Sequence, residues 1–172
     1  MFNTKMLFLL ILLTVGLTLR GQKNAKVESA AFSDKINSLI KFSVPVISVT
    51  DAHALKDVKY LDAREPKEYN VSHLPGAKYV GYDYFSENLV KDIDRNKTIV
   101  VYCSIGYRSE KIGEKLSKLG FKKVFNLYGS IFEWANQGYP LTDFEGKPTN
   151  KIHVYNKKWS KWMVNPKYEK VF

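Results

Sequence analysis

The sequence predicts an α/β protein with a central, mostly parallel five-stranded sheet and helices on both faces. Two observations carry that expectation. Short runs rich in β-branched residues alternate with segments of helical periodicity, the order that makes strands parallel and lays their crossovers on the two faces. One run, Thr98–Tyr102 (TIVVY), is apolar almost throughout, as a strand covered on both sides must be. The composition, 172 residues with 45% hydrophobic and 26% charged, fits one domain with extensions and leaves no room for a second domain of ordinary size.

In chain order, Met6–Leu19 (MLFLLILLTVGLTL) carries no charge over 14 residues, with Lys5 ahead of it and Arg20, Lys23 and Lys26 behind it. A membrane span needs about 18 or more apolar residues, whereas a secretory core needs about 7–15 after a basic start. Residues 1–22 are therefore expected to be a signal peptide, with an uncleaved N-terminal membrane anchor as the other reading because no A-x-A precedes Gln22. Either reading exports the domain, to the periplasm or as a secreted protein. Loss of residues 1–22 removes Lys5 and Arg20 and lowers the formal charge from +10 to +8.

Residues 23–45 read as a linker running into a short amphipathic helix marked by Phe32, Ile36, Leu39 and Ile40. Strands are expected at Val44–Val49, Lys59–Ala63, Ala77–Val80, Thr98–Tyr102 and Lys123–Leu127. Helices are expected over about 84–93, 108–119 and 131–137. In the second helix Ile112, Leu116 and Leu119 form the apolar stripe and Gly120 the stop. The domain proper is placed at 46–142, followed by a basic, aromatic C-terminal extension at 143–172. From Thr142 onward seven lysines oppose Asp143, Glu145 and Glu169, interleaved with Tyr155, Trp159, Trp162, Tyr168 and Phe172. That mixture invites a nucleic-acid reading, but an exported protein seldom meets nucleic acid. Ile152, Val154, Trp159 and Trp162 fit a strand and helix packed on the domain, with membrane-surface contact the next reading. A monomer without a nucleic-acid partner is expected.

The single cysteine excludes an intramolecular disulfide framework, a multi-cysteine metal site and a Cys-x-x-Cys pair. No glycine-rich dinucleotide or phosphate loop is present, His53 and His153 stand alone, and no cluster has metal-ligand spacing. No cofactor and no metal are expected.

The chemistry begins where TIVVY ends, at Cys103-Ser104-Ile105-Gly106-Tyr107-Arg108-Ser109. The carboxyl end of a parallel strand is where open α/β sheets bind ligands. Loop amides and the following helix start can converge there on a sulfur, Arg108 adds a full positive charge, and both favour thiolate over thiol. Gly106 lets the loop bend around the sulfur. An isolated cysteine is otherwise a small buried hydrophobe; strand end, glycine, arginine and helix start together point to a functional loop.

Four motifs in register carry a resemblance. Asp62-Ala63-Arg64-Glu65-Pro66-Lys67-Glu68-Tyr69 resembles a D-x-R-x-x-x-E-[FY] stretch, His73-Leu74-Pro75-Gly76-Ala77 a G-H-I-P-G-A, Ile99–Ser109 a strand with a C-x-x-G-x-R-S loop, and Leu127–Trp134 an L-x-G-G-x-x-x-W. The segment from about Val46 to Leu141 thus resembles a rhodanese domain. The resemblance implies a small α/β fold and Cys103 as the sulfur-accepting nucleophile. Ser104, Ile105, Gly106, Tyr107, Arg108 and Ser109 would form the binding loop, with Arg108 orienting an anionic donor such as thiosulfate, Tyr107 at the mouth, and Ser109 capping the helix. Asp62 and Arg64 would support the loop by a hydrogen-bonded ion pair. Glu65 and Glu68 begin and face a short helix, His73 steadies a turn, and Trp134 belongs to the core. Ser130 and Ser72 stand where the pattern has glycines. Ser104 stands where thiosulfate-using members often carry a second arginine, which weakens the case for that donor. A thiol or cyanide would be the acceptor. A non-catalytic rhodanese-fold binding or redox-scaffold module is the alternative. The Cys103–Arg108 spacing, C-x4-R, is one residue shorter than the phosphatase C-x5-R and crowds a phosphoryl group.

Overall fold

A computed structural model of the protein describes residues 25–172. The expected export segment, residues 1–22, lies outside them. The central sheet is parallel throughout, built from β1 (Val46–Ile47), β2 (Val58–Asp62), β3 (Lys78–Tyr79), β4 (Thr98–Tyr102) and β5 (Lys123–Leu127) in the spatial order β1-β5-β4-β2-β3. TIVVY is the central strand: it pairs with β2 from Val58 opposite Thr98 to Asp62 opposite Tyr102, and with β5 from Thr98 opposite Lys123 to Val101 opposite Asn126.

Because successive strand residues point to opposite faces, β4 feeds two cores. Val100 and Tyr102 join Phe32 of α1 (Ala30–Asn37), Val49 of α2 (Val49–Ala54) and Ile131 of α5 (Ser130–Asn136). Ile99 and Val101 join Ile112 and Leu116 of α4 (Tyr107–Lys118). The Ile112/Leu116 stripe is buried as its spacing predicts. Past α4, Phe121 N–H reaches Leu116 O at 3.2 Å and Gly120 N–H reaches Ser117 O at 3.1 Å, so Gly120 ends the helix in a Schellman turn.

Two expected elements change, and a third stands as expected. The strand at 44–49 shrinks to Val46–Ile47, since Pro45 has no N–H to give the ladder and Ser48 accepts Asp51 N–H as the N-cap of α2. The helix expected at 84–93 is only a 3-10 turn, Glu87–Val90. Its single fully buried anchor is Val90, too little apolar burial to hold a longer helix, and Arg95 bonds the carbonyls of Val90 and Ile93 where the turn ends. The short helix expected around Glu65 and Glu68 is α3 (Pro66–Val71), opened by a capping box between those two glutamates.

Beyond the sheet, β6 (Leu141–Thr142) pairs antiparallel with β7 (Pro148–Thr149), and β8 (Lys151–His153) pairs parallel with β9 (Glu169–Val171), with α6 (Lys157–Ser160) between. Ile152, Val154, Met163 and Tyr168 are buried in the same core as α1, and the Trp162 ring stacks on Phe32 at 5.3 Å. The two flanks of the sheet domain therefore meet each other on one face. No helix among the described residues is long and apolar enough to cross a membrane.

Candidate active site

Cys103 is the first residue past β4, buried at the carboxyl edge of the sheet. Gly106 has φ +129°, a conformation open to glycine, and it folds the loop back so that its N–H lies 3.1 Å from Cys103 Sγ. Helix α4 then starts at Tyr107, one residue earlier than its apolar pattern suggests. Its first turn presents Ser109, whose N–H and hydroxyl both favour the thiolate, the hydroxyl at 3.6 Å from sulfur. The helix-capping role expected of Ser109 is corrected here: the N-cap is Gly106, and no side chain bonds the helix end. The Ser109 hydroxyl is turned inward instead, 2.7 Å from Asn126 Oδ1, so one proton is shared between a near amide oxygen and a farther sulfur.

Asn126 is the residue that sequence reasoning missed. It is buried in β5, and its Nδ2 donates to Gly106 O at 3.0 Å while its Oδ1 takes the Ser109 hydroxyl. It thus clamps the bend of the loop to the helix that follows. The available signal was an asparagine, a poor strand former, inside the apolar run KVFNL.

The back of the loop is tied down as firmly. Cys103 N–H donates to Ser130 Oγ at 3.1 Å, and the Ser130 hydroxyl donates to Leu127 O at 3.2 Å. Ser130 sits at φ +53°, in the slot where the motif carries glycine, so the serine accepts backbone strain and its oxygen receives the hydrogen bond from the Cys103 amide. Ile131 and Phe132 N–H take the carbonyls of Cys103 and Ser104 at 3.2 and 3.3 Å. The carbonyls therefore face the body of the domain.

Arg108 does not stand free in the loop. Its guanidinium grips Glu68 in a two-pronged pair at 2.7 and 2.9 Å, with a further bond to Ser104 Oγ at 3.0 Å. Glu65 Oε1 lies 4.0 Å away. Burial pushes the fully buried Glu68 carboxyl up, but the bonds and charge of Arg108, with Arg64 and the Glu65 N–H, outweigh it and hold the group at about 2. The pairing leaves Arg108 enough field to act on the sulfur. Burial opposes the thiolate, yet Arg108, Ser109 and Gly106 together bring Cys103 below the ordinary thiol range.

Asp62 and Arg64 form the expected ion pair, both fully buried, with Arg64 Nη2 at 2.7 Å from Asp62 Oδ2 and 2.6 Å from Ser72 O. They fasten the end of β2 to the turn before His73, which exchanges backbone hydrogen bonds with Thr142. Trp134 is in the core.

Cys103, Ser104 and Ile105 floor a cavity of about 450 Å³. Its upper wall is aromatic and apolar: Tyr82, Tyr107 and Leu39, joined by Tyr155 and Trp159 from the C-terminal extension. Glu65, Asp83 and Arg108 supply its charges. Tyr107 lies at the mouth as expected; the two residues from the extension do not follow from any motif.

Fold and site together define a single-cysteine α/β domain whose sulfur sits in an amide-lined loop between the central strand and its helix. The Rhodanese-like domain family matches residues 48–137, more than half of the chain, and the protein belongs to that family. It is 39% identical over 100 residues to a tRNA uridine(34) hydroxylase of Pectobacterium atrosepticum, a stretch covering 53% of this chain and 28% of the relative. The chain thus matches less than a third of the length of such relatives. Among solved structures, the rhodanese-like domain of an Anabaena protein aligns with TM-score 0.54 at 20% identity, covering 58% of this chain and 80% of that one. A thiosulfate sulfurtransferase of Pseudomonas aeruginosa aligns with TM-score 0.55 at 21% identity, covering 77% of this chain and 26% of that one. These two share the fold.

Proposed function

We propose that the protein is a sulfurtransferase that carries sulfane sulfur on Cys103 as a persulfide. The observation that supports this most is the environment of Sγ: a buried sulfur at the sheet's carboxyl edge, met by Gly106 N–H and by Ser109, and biased toward thiolate. In the first half-reaction the Cys103 thiolate attacks the outer sulfur of the donor. Its electron pair forms the new S–S bond, and the donor's S–S bond breaks with its pair leaving on sulfite, when the donor is thiosulfate, or on a thiolate. In the second, cyanide or an acceptor thiolate takes the terminal sulfur and Cys103 departs as thiolate. No external oxidant or reductant is consumed. The same amides serve both states, since each places negative charge on a sulfur in the loop.

Two features speak against phosphoryl transfer. The C-x4-R loop is short for a tetrahedral phosphate, and Arg108 is held by Glu68 and Ser104. The apolar run Met6–Leu19 supports an exported protein, free or anchored; retention of the full chain in the cytoplasmic fraction of expressing cells would overturn that part. The chemistry is tested by intact mass. Thiosulfate-treated protein is expected to gain one sulfur atom, to lose it on adding cyanide, and to show neither change as Cys103→Ser. Failure of the wild type to gain sulfur from thiosulfate or an organic persulfide overturns the reading.

A further inference from the structure

We propose that the sulfur compound this site exchanges with is a small organic thiol or persulfide bearing a cationic body, received by an aromatic collar that Tyr155 and Trp159 of the C-terminal extension complete above Cys103. The inference deepens the sulfur-transfer reading and rests on it for the identity of the reacting group.

Size is the first argument. A cavity of about 450 Å³ falls in the range that holds organic ligands and far exceeds a thiosulfate ion. The second is charge. The lining offers two carboxylates, Glu65 and Asp83, against one guanidinium, and three of that guanidinium's five N–H groups are already taken by Glu68 and Ser104. The Tyr155 ring lies over Arg108 at 5.6 Å and shields it further from an incoming anion. Aromatic faces beside carboxylates attract cations, by the ring quadrupole and by direct charge. Trp159 already takes one, with Lys35 Nζ 5.5 Å from its ring.

The third argument is strain. Tyr155 has φ +64°, a left-handed conformation that is unfavourable for a bulky residue. The backbone is held there: Tyr155 N–H donates to Nδ1 of the buried His153 at 3.0 Å, and Asn156 N–H donates to Val154 O at 2.7 Å. Buried Ile152 and Val154 anchor the segment just ahead of it. Yet the Tyr155 side chain that lines the cavity is itself exposed at 47%, so its own burial offsets the strain only in part, and a ligand in the cavity would offset more of it.

The test uses the lone thiol as its reporter. Cys103 thiolate attacks a symmetric disulfide, forming a mixed disulfide and releasing the other half as a thiolate, which intact mass follows with time. Cystamine, hydroxyethyl disulfide and dithiodipropionate supply cationic, neutral and anionic bodies, and each rate is divided by that of a free model thiol with the same reagent to cancel leaving-group chemistry. The normalised rate is expected to favour cystamine over dithiodipropionate by at least tenfold. The chain's formal charge of +10 would by itself favour the anion, so this order reports the local lining. Tyr155→Gly removes the ring and relaxes the backbone, so its melting temperature should hold or rise; it and Asp83→Asn should each cut the ratio several-fold. A flat or reversed order in the wild type, or a ratio unchanged in both variants, overturns the proposal. Mixed-disulfide formation needs no persulfide, so a protein that keeps the charge order but never gains sulfane sulfur loses the sulfur-transfer reading and keeps the collar.

Discussion

Glu68→Gln tests the electrostatics of the loop most directly. Glu68 is fully buried, held at about 2 rather than the usual 4.5. At about 1.4 kcal/mol for each tenfold change in proton affinity, that gap corresponds to about 3 kcal/mol of native-state stabilisation at neutral pH. Removing one partner of a buried pair costs a similar amount. In a chain of 172 residues this should lower the melting temperature by roughly 6–12 °C. The sign with pH follows from the direction of the shift. A carboxyl depressed in the native state stabilises fully above its unfolded value, and that contribution is lost as pH falls from about 4.5 toward 2, so the gap between wild type and variant should close over that window. A second readout separates this account from a general loss of packing. Without the Glu68 carboxylate, Arg108 acts on the sulfur unopposed, and the midpoint of the pH profile for Cys103 alkylation by iodoacetamide should move down. An unchanged melting temperature at neutral pH, or a midpoint that moves up, refutes the reasoning.

The Ser109 hydroxyl assists the thiolate only in part, since its nearer partner is Asn126; Ser109→Ala should raise the alkylation midpoint of Cys103 while leaving it below that of a free thiol, and an unmoved midpoint removes the hydroxyl from the account. Ser130 couples strain to a hydrogen bond. Ser130→Ala keeps the left-handed backbone and leaves Cys103 N–H without its acceptor, at about 1–3 kcal/mol, whereas Ser130→Gly loses the same bond but relaxes the strain; thermal melts should rank wild type above glycine and glycine above alanine, and an alanine variant as stable as wild type contradicts that role.

The extent to which the site was readable follows from how local each feature is. Cys103, Gly106 and the start of α4 are set by neighbours in the chain, and strand end, glycine and helix stripe announced them. The helix expected at 84–93 failed for the opposite reason. Its apolar spacing is helical, but only Val90 of the segment is fully buried, and how much of an apolar face the fold covers is not written in the local pattern. A serine near a helix start is usually a cap, and only the presence of Asn126 on β5 turns the Ser109 hydroxyl inward.

By itself the sequence determined the sheet, its central strand, the cysteine at that strand's end and the family, because alternating strand and helix periods and four motifs in order are properties of the chain as written. Only the tertiary structure decided how charge is distributed around the sulfur and what roofs it. Glu68 and Arg108 are 40 residues apart, and their pairing turns an expected free cation into a paired one. Tyr155 and Trp159 reach the cavity because Ile152, Val154, Met163 and Tyr168 bury themselves beside α1. Burial brings distant segments together without leaving a spacing to read, and here it supplies part of the wall of the cavity that holds Cys103.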